Sequence, residues 1–261
     1  MSKVALVTAS SAGLGAACVK ALAPHFRVVV NYYSRREKAE QVIRGASAIT
    51  PLYAHDDTAD GPRFVALQAD VADRAAVQRL VQEAVATMGR LDVVVSNAGW
   101  TRVTDIMDLD DQVNEDDWDR CYNVNVKAHL WLLYAAMPHF EKNAAADARG
   151  SFVTVASLAG VRPSGSSVAY AVSKAAAIHL TRCLAMVCGK KSGVRCNSVS
   201  PGLLMTEWGQ RFSDEQVQAT VDKTALGKLA TVEDVAEQVK ALALSTSITG
   251  QNIVIDGGIA I

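Results

Sequence analysis

The chain has 261 residues, half of them hydrophobic, enough to bury a sizeable core within one α/β domain spanning 1–261. Its 26 basic and 27 acidic residues leave a formal net charge of -1 with no long run of one sign, which argues against a nucleic-acid or anionic-membrane partner. The cysteines (Cys18, Cys121, Cys183, Cys188 and Cys196) are odd in number and form no Cys-x-x-Cys pair, so neither a disulfide framework nor a structural zinc site is expected. A reducing compartment fits that usage. The apolar run after the N-terminus is too short for a signal-peptide core, so the expectation is a soluble, cytoplasmic protein.

Short unbroken apolar runs recur along the chain at Val4 to Val7, Arg27 to Val30, Phe64 to Leu67, Val93 to Val95, Phe152 to Val155, Val194 to Ser198 and Asn252 to Ile255. Lacking alternation, they suit strands buried on both faces. Between them lie helix candidates at Leu14 to Leu22, Ala75 to Met88, Trp118 to Phe140, Tyr170 to Val187 and Val232 to Leu244. This rhythm predicts an α/β fold, a doubly wound parallel sheet of about seven strands with helices on both faces. Two stretches fall outside it. Residues 45–63 read as a surface insertion before the third strand, and 203–229 as a substrate-binding flap.

The first strand runs into Thr8-Ala9-Ser10-Ser11-Ala12-Gly13-Leu14-Gly15. Small residues let backbone N–H groups approach a pyrophosphate, and the helix that follows offers its positive N-terminus to that anion. Ala9 is compatible with such a turn if its φ is negative. At the end of the second strand an acidic residue would accept hydrogen bonds from ribose hydroxyls and repel a 2′-phosphate; the chain has Asn31-Tyr32-Tyr33-Ser34-Arg35-Arg36 instead. Neutral donors and guanidinium groups favour NADP(H), although arginines also begin many solvated helices.

Later in the chain, Tyr170-Ala-Val-Ser-Lys174 sets a phenol and an ammonium four residues apart on one helix face. A free phenol ionises near pH ~10, and a nearby cation favours the phenolate by ~1.4 kcal/mol per unit of lowering. Ser157 precedes Tyr170 by 13 positions, and Asn125 follows Trp118 by seven.

Taken in order, these elements resemble the short-chain dehydrogenase/reductase family, and within it NADPH-dependent ketoreductases of the 3-oxoacyl-ACP reductase kind. The departure is Ala9, where the family has the first glycine of its turn. The resemblance spans nearly the whole chain and implies a Rossmann fold. It also implies that Asn125, Ser157, Tyr170 and Lys174 are catalytic. Tyr170 would exchange the proton, Ser157 would polarise the carbonyl, Lys174 would hold the nicotinamide ribose and tune Tyr170, and Asn125 would help hold a relay water. Implied cofactor contacts are Ser10, Ser11, Gly13, Leu14 and Gly15 at the turn, and Asn31, Tyr32, Ser34 and Arg35 after the second strand. They continue with Asp70 and Val71, Asn97, Ala98 and Gly99, Tyr170 and Lys174 themselves, then Pro201, Gly202, Leu204 and Thr206. By analogy the chain would assemble as a homotetramer or homodimer through its long helices.

The expected function is therefore NADP(H)-dependent reduction of a small-molecule ketone, or oxidation of the matching secondary alcohol. Reduction of a C=N bond at the same site and a non-catalytic NADP(H)-binding protein are the alternatives. Trp100 and Trp208 read equally as pocket lining and as packing residues. Arg162 and Ser164 could border the same pocket or be ordinary loop polarity. The five histidines show no metal-site spacing, so no metal is expected.

Overall fold

The computed structural model describes residues 2–53, 61–144 and 149–261. Seven parallel strands form one sheet: β1 (Val4–Val7), β2 (Arg27–Tyr32), β3 (Phe64–Gln68), β4 (Val93–Ser96), β5 (Ser151–Val155), β6 (Arg195–Pro201) and β7 (Asn252–Ile255). Their spatial order is β3-β2-β1-β4-β5-β6-β7. The order reverses between β1 and β4, so the crevice beyond their carboxyl ends is where a fold of this kind binds its ligand.

Consecutive residues of the strands face opposite layers, which is why each run is apolar throughout. Ala5, Val7, Val28, Val30, Val153 and Val155 pack against α1 (Gly13–Leu22), α2 (Arg36–Ser47) and, C-terminally, Val232–Leu244. Val4, Leu6, Val29, Val94 and Phe152 pack on the other face against α3 (Arg74–Met88) and the two long helices that follow. Burial of both faces leaves no polar side for the sheet to show.

The expected helix from Trp118 to Phe140 is interrupted. It comprises α4 (Glu115–Tyr122), a five-residue π-turn (Asn123–Lys127) and α5 (Ala128–Ala144). Then come α6 (Val168–Ser192), α7 (Asp214–Val221) and α8 (Val232–Leu244). By length and composition α6 could cross a membrane, but it carries the buried Ser173 and Lys174 and packs on β6 and the turn after β5, as a layer helix of the fold does.

One boundary differs from expectation. Helix α2 continues through Gly45 to Ser47, so the stretch 45–63 begins inside a helix rather than at an insertion, and 54–60 lie outside the described residues. Arg63 pins the return of the chain by donating to the carbonyls of Ala23 and Ile49 at 3.1 and 2.6 Å. Residues 203–229 hold a short 3-10 turn at Gly209–Arg211 and α7, whose Ser213 and Gln216 form a capping box.

Candidate active site

The turn after β1 is built inward. Thr8 Oγ1 accepts from the N–H groups of Asn97 and Ala98 at 2.9 and 3.2 Å, and Asn97 Nδ2 donates back to the Thr8 and Ala9 carbonyls at 3.0 and 3.3 Å. This clamp joins the ends of β1 and β4 at the switch point. Ala9 has φ 49°, not the negative φ its identity would favour, and its N–H donates to Asn31 Oδ1 at 3.0 Å. Ala9 therefore occupies the left-handed conformation natural to glycine, at a cost of about 1–2 kcal/mol. Gly15 has no room for a side chain, because a Cβ there would lie 2.6 Å from the Ala9 carbonyl oxygen and 2.7 Å from Asn97 Nδ2. The close packing of α1 on the turn is what it provides.

Helices α3, α4, α6, α7 and α8 each begin on a residue whose side chain caps the first turn. Helices α1 and α2 have no such side-chain cap. Their starting N–H groups carry the partial positive charge of a helix N-terminus without an internal acceptor side chain. One lies at the turn expected to take a pyrophosphate, the other beside Arg35 at the end of β2. These residues fit a phosphorylated dinucleotide.

Several expected contacts prove to be part of the scaffold. Asn31 is buried, and its Nδ2 is shared among the carbonyls of Tyr32, Leu67 and Ala69 at 3.2–3.3 Å, so it ties β2, β3 and the Ala9 turn together rather than facing a phosphate. The Tyr32 ring lies in the core beside α2. Ser10 is buried with its hydroxyl donating to the Val7 carbonyl at 2.8 Å. Asp70 accepts from the Ala72 N–H at 2.9 Å in its own turn, with Val71 half-buried next to it. Leu14 and Leu204 pack into the core face. Ser11 is buried at the turn, and Ser34 is exposed after β2. Pro201 ends β6, and Gly202 donates to the Ile255 carbonyl at 2.9 Å. Thr206 closes toward the turn: a Cβ on Gly13 would lie 3.2 Å from its Cγ2.

At the other end of the crevice Ser157 caps a 3-10 turn, Leu158–Gly160, with its Oγ accepting from the Ala159 N–H at 3.2 Å. Gly160 lets this turn touch α6, since a Cβ would fall 2.5 Å from the Lys174 carbonyl carbon. Ser157 is thereby brought near enough to the Tyr170 hydroxyl to influence its ionisation. Burial pushes the Tyr170 phenol above its ordinary value, and the Ser157 hydroxyl opposes that rise. The lowering expected from Lys174 does not appear. Burial takes the lysine itself down to about 8, and its Nζ donates to the Val155 carbonyl at 2.9 Å, 5.7 Å from the Tyr170 ring centre.

Asn125, in the π-turn, is fully buried. Its Oδ1 accepts from the Trp100 N–H at 2.8 Å, and its Nδ2 donates to the Trp100 carbonyl and to Ser173 Oγ, both at 2.9 Å. These bonds fix the loop after Gly99. A Cβ on Gly99 would sit 3.3 Å from Lys174 Nζ, so that loop passes close over the ammonium. Trp208 stands 6.2 Å from the Tyr170 ring, whereas Trp100 stacks under Arg120 at 4.7 Å. Arg162 donates to the Ile259 carbonyl at 2.7 Å, and Ser164 Oγ donates to the Arg162 carbonyl at 3.2 Å.

Sequence reasoning missed Gly160, Ser173 and Glu207, the last paired with Arg35 and Lys38 at the start of α2. Gly160 has only close approach as its signal, and the other two are set by contacts remote in the chain. It also passed over His129, buried with Nδ1 2.6 Å from Ser96 Oγ and driven down to about 3 by burial and by Lys174, hence neutral. Among the described residues no cluster of His, Cys, Asp and Glu is placed to hold a metal ion.

A seven-stranded doubly wound sheet with a phosphate-type turn at its switch point and a Ser-Tyr-Lys group beyond β5 defines a nicotinamide-dependent oxidoreductase class. Residues 8–260 match the sequence family described as enoyl-(acyl carrier protein) reductase. A Streptomyces violaceoruber protein assigned as ketoacyl reductase 2 of the granaticin polyketide synthase is 40% identical over 98% of this chain and 95% of its own. A Burkholderia cenocepacia short-chain dehydrogenase solved with NADP superposes with TM-score 0.85 at 33% identity, covering 99% of this chain and 98% of that one. A Brucella melitensis 3-ketoacyl-(acyl-carrier-protein) reductase solved with NADH has the same TM-score and coverage at 26% identity. The chain belongs to the short-chain dehydrogenase/reductase family. It is accordingly an oxidoreductase acting on hydroxyl and keto groups.

Proposed function

We propose that the protein reduces a ketone of the 3-oxoacyl thioester class with NADPH, using Tyr170 as proton donor. The placing of Ser157 beside Tyr170, fixed by the close packing of the Leu158–Gly160 turn on α6, carries this reading, because it sets two hydroxyl groups where a single carbonyl oxygen can meet both. A bound nicotinamide supplies the hydride. The Tyr170 O–H gives its proton to the oxygen as the alcohol forms. A phenol held up by burial stays protonated at neutral pH, the form that reduction requires. Ser157 donates to the same oxygen and polarises it. Lys174, charged below pH 8, offers its ammonium to the ribose and keeps its place through Val155. Asn125 is a positioning residue, holding the Gly99–Trp100 loop over the lysine. Trp208 supplies an apolar wall beside Tyr170, suited to an acyl chain or an aromatic polyketide.

Arg35, Lys38 and the absence of an acid after β2 support NADPH over NADH. The relatives named for ketoacyl reduction support the thioester class. The free state of all five cysteines suits a cytoplasmic location.

The test is a fluorescence titration with NADPH and NADH, followed by absorbance assays on 3-oxoacyl thioesters and plain ketones. Tyr170→Phe is expected to lower ketone-dependent NADPH oxidation by about 100-fold or more while leaving nucleotide binding in place. Turnover unchanged in that variant removes Tyr170 from the chemistry.

A further inference from the structure

Three consecutive side chains beyond β6 reach three separate parts of the site. Thr206 lies over Gly13, Trp208 faces Tyr170, and between them Glu207 crosses to the start of α2. There its Oε2 pairs with Arg35 Nη1 at 2.6 Å and its Oε1 with Lys38 Nζ. Arg36 is not available to this group, being paired with Glu40 at 2.9 Å. Lys38 and Arg35 together hold the Glu207 carboxyl down to about 2, so it is anionic throughout the working range.

Two cations, Arg35 at the uncapped start of α2 and Lys38 in its first turn, are the features that support recognition of a 2′-phosphate, and both are spent on a carboxylate 172 and 169 residues away in the chain. A phosphate and a carboxylate compete for the same donors, and placing them side by side adds like-charge repulsion. We infer that Glu207 is a specificity-determining residue for the cofactor, an internal stand-in for the 2′-phosphate that must be displaced when NADPH binds and stays in place when NADH does. The inference rests on the proposed preference for NADPH. It makes that preference weaker than Arg35 and Lys38 alone would set. It also links the residue next to Trp208, and so the substrate side, to the identity of the nucleotide.

The experiment compares wild type, Glu207→Gln and Arg35→Ala by calorimetric titration with NADPH, NADH, adenosine 2′,5′-bisphosphate and 5′-AMP. Exposed ion pairs of this kind support a change of about threefold to tenfold. Glu207→Gln is expected to bind NADPH and the bisphosphate tighter by that factor, with NADH and 5′-AMP within about twofold of wild type, and the gain should shrink as salt screens the competing pairs. Glu207→Asp, with its charge kept but drawn back, should fall between. An unchanged NADPH-to-NADH ratio, or weaker NADPH binding in Glu207→Gln, overturns the inference. If Arg35→Ala abolishes a preference that Glu207→Gln leaves alone, only the role of Glu207 falls. If wild type prefers neither nucleotide and Arg35→Ala changes nothing, the NADPH reading fails and this inference with it.

Discussion

Tyr170 and Lys174 share a face of α6, yet burial moves them in opposite senses, the phenol upward and the ammonium down to about 8. For Lys174 this carries a stability consequence whose sign follows from proton counting. Between pH 8 and the ordinary lysine value of 10.5 the unfolded chain holds a proton at this side chain that the folded chain has released. Stability therefore rises with pH across that window, and below pH 8 the fold bears the cost of an enclosed cation. Replacing the lysine by an apolar side chain removes this dependence. Urea unfolding of wild type and Lys174→Met at pH 7 and at pH 10 should show wild type gaining relative to the variant by an amount on the order of 1–3 kcal/mol. A gap that stays constant with pH would mean that the ammonium keeps an ordinary pKa in the fold. At neutral pH the same charge, lying close under the Gly99 loop, is the one that the proposed ribose contact requires.

At the level of elements, the β1–α1 turn shows both what sequence can give and where it stops. Unbroken apolar runs marked the seven strands because burial on both faces is a property each run carries by itself. That Ser157, Tyr170 and Lys174 lie near one another could be read for a similar reason: two are four residues apart on one helix, and the third follows a strand whose end is plain. Asn31 was misread. Its polarity suggested a ligand, while its true partners are carbonyls of β2, of β3 and just beyond it, and the Ala9 N–H, none identifiable before the sheet is assembled. The π-turn that splits the expected helix after Tyr122 is likewise set by tertiary contacts, with Asn125 held by Trp100 and Ser173. Ala9 is the instructive residue, for the clamps from Asn31 and Asn97 impose a positive φ that alanine resists. Ala9→Gly should release about 1–2 kcal/mol of that strain and lose part of it to the greater freedom of glycine in the unfolded chain, a net gain of about 0.5–1 kcal/mol. Denaturant unfolding with an unchanged m-value is the measurement, and a variant no more stable than wild type would show that the turn relaxes to negative φ in solution.

For the whole molecule, the two longest helices leave apolar side chains outside the fold. On α5 these are Leu130 and Tyr134, one turn apart, the tyrosine 66% exposed; on α6 they are Val172, Met186 and Val187, with Met186 73% exposed. Helix α6 also buries Lys174 on its opposite side, so a surface that fixes this helix from without bears on the proposed site within. Single exposed apolar residues are ordinary, but five on two helices of one layer are enough to be worth testing as a surface covered by association. Self-association through α5 and α6 is the expected outcome, and a twofold axis, the simplest operator, would give a dimer or, with a second axis, a tetramer. Sedimentation equilibrium at micromolar concentration should return a whole-number multiple of the 27.7 kDa chain. The double variant Tyr134→Glu and Met186→Glu should sediment as a smaller species, because two carboxylates per copy would be desolvated in the contact. The change should also lower turnover while the isolated chain still binds nucleotide, since α6 carries Tyr170 and Lys174 whereas the β1–α1 turn lies at the switch point. A wild-type chain that sediments as a monomer, or a double variant of unchanged mass, would separate the exposed faces of α5 and α6 from assembly altogether.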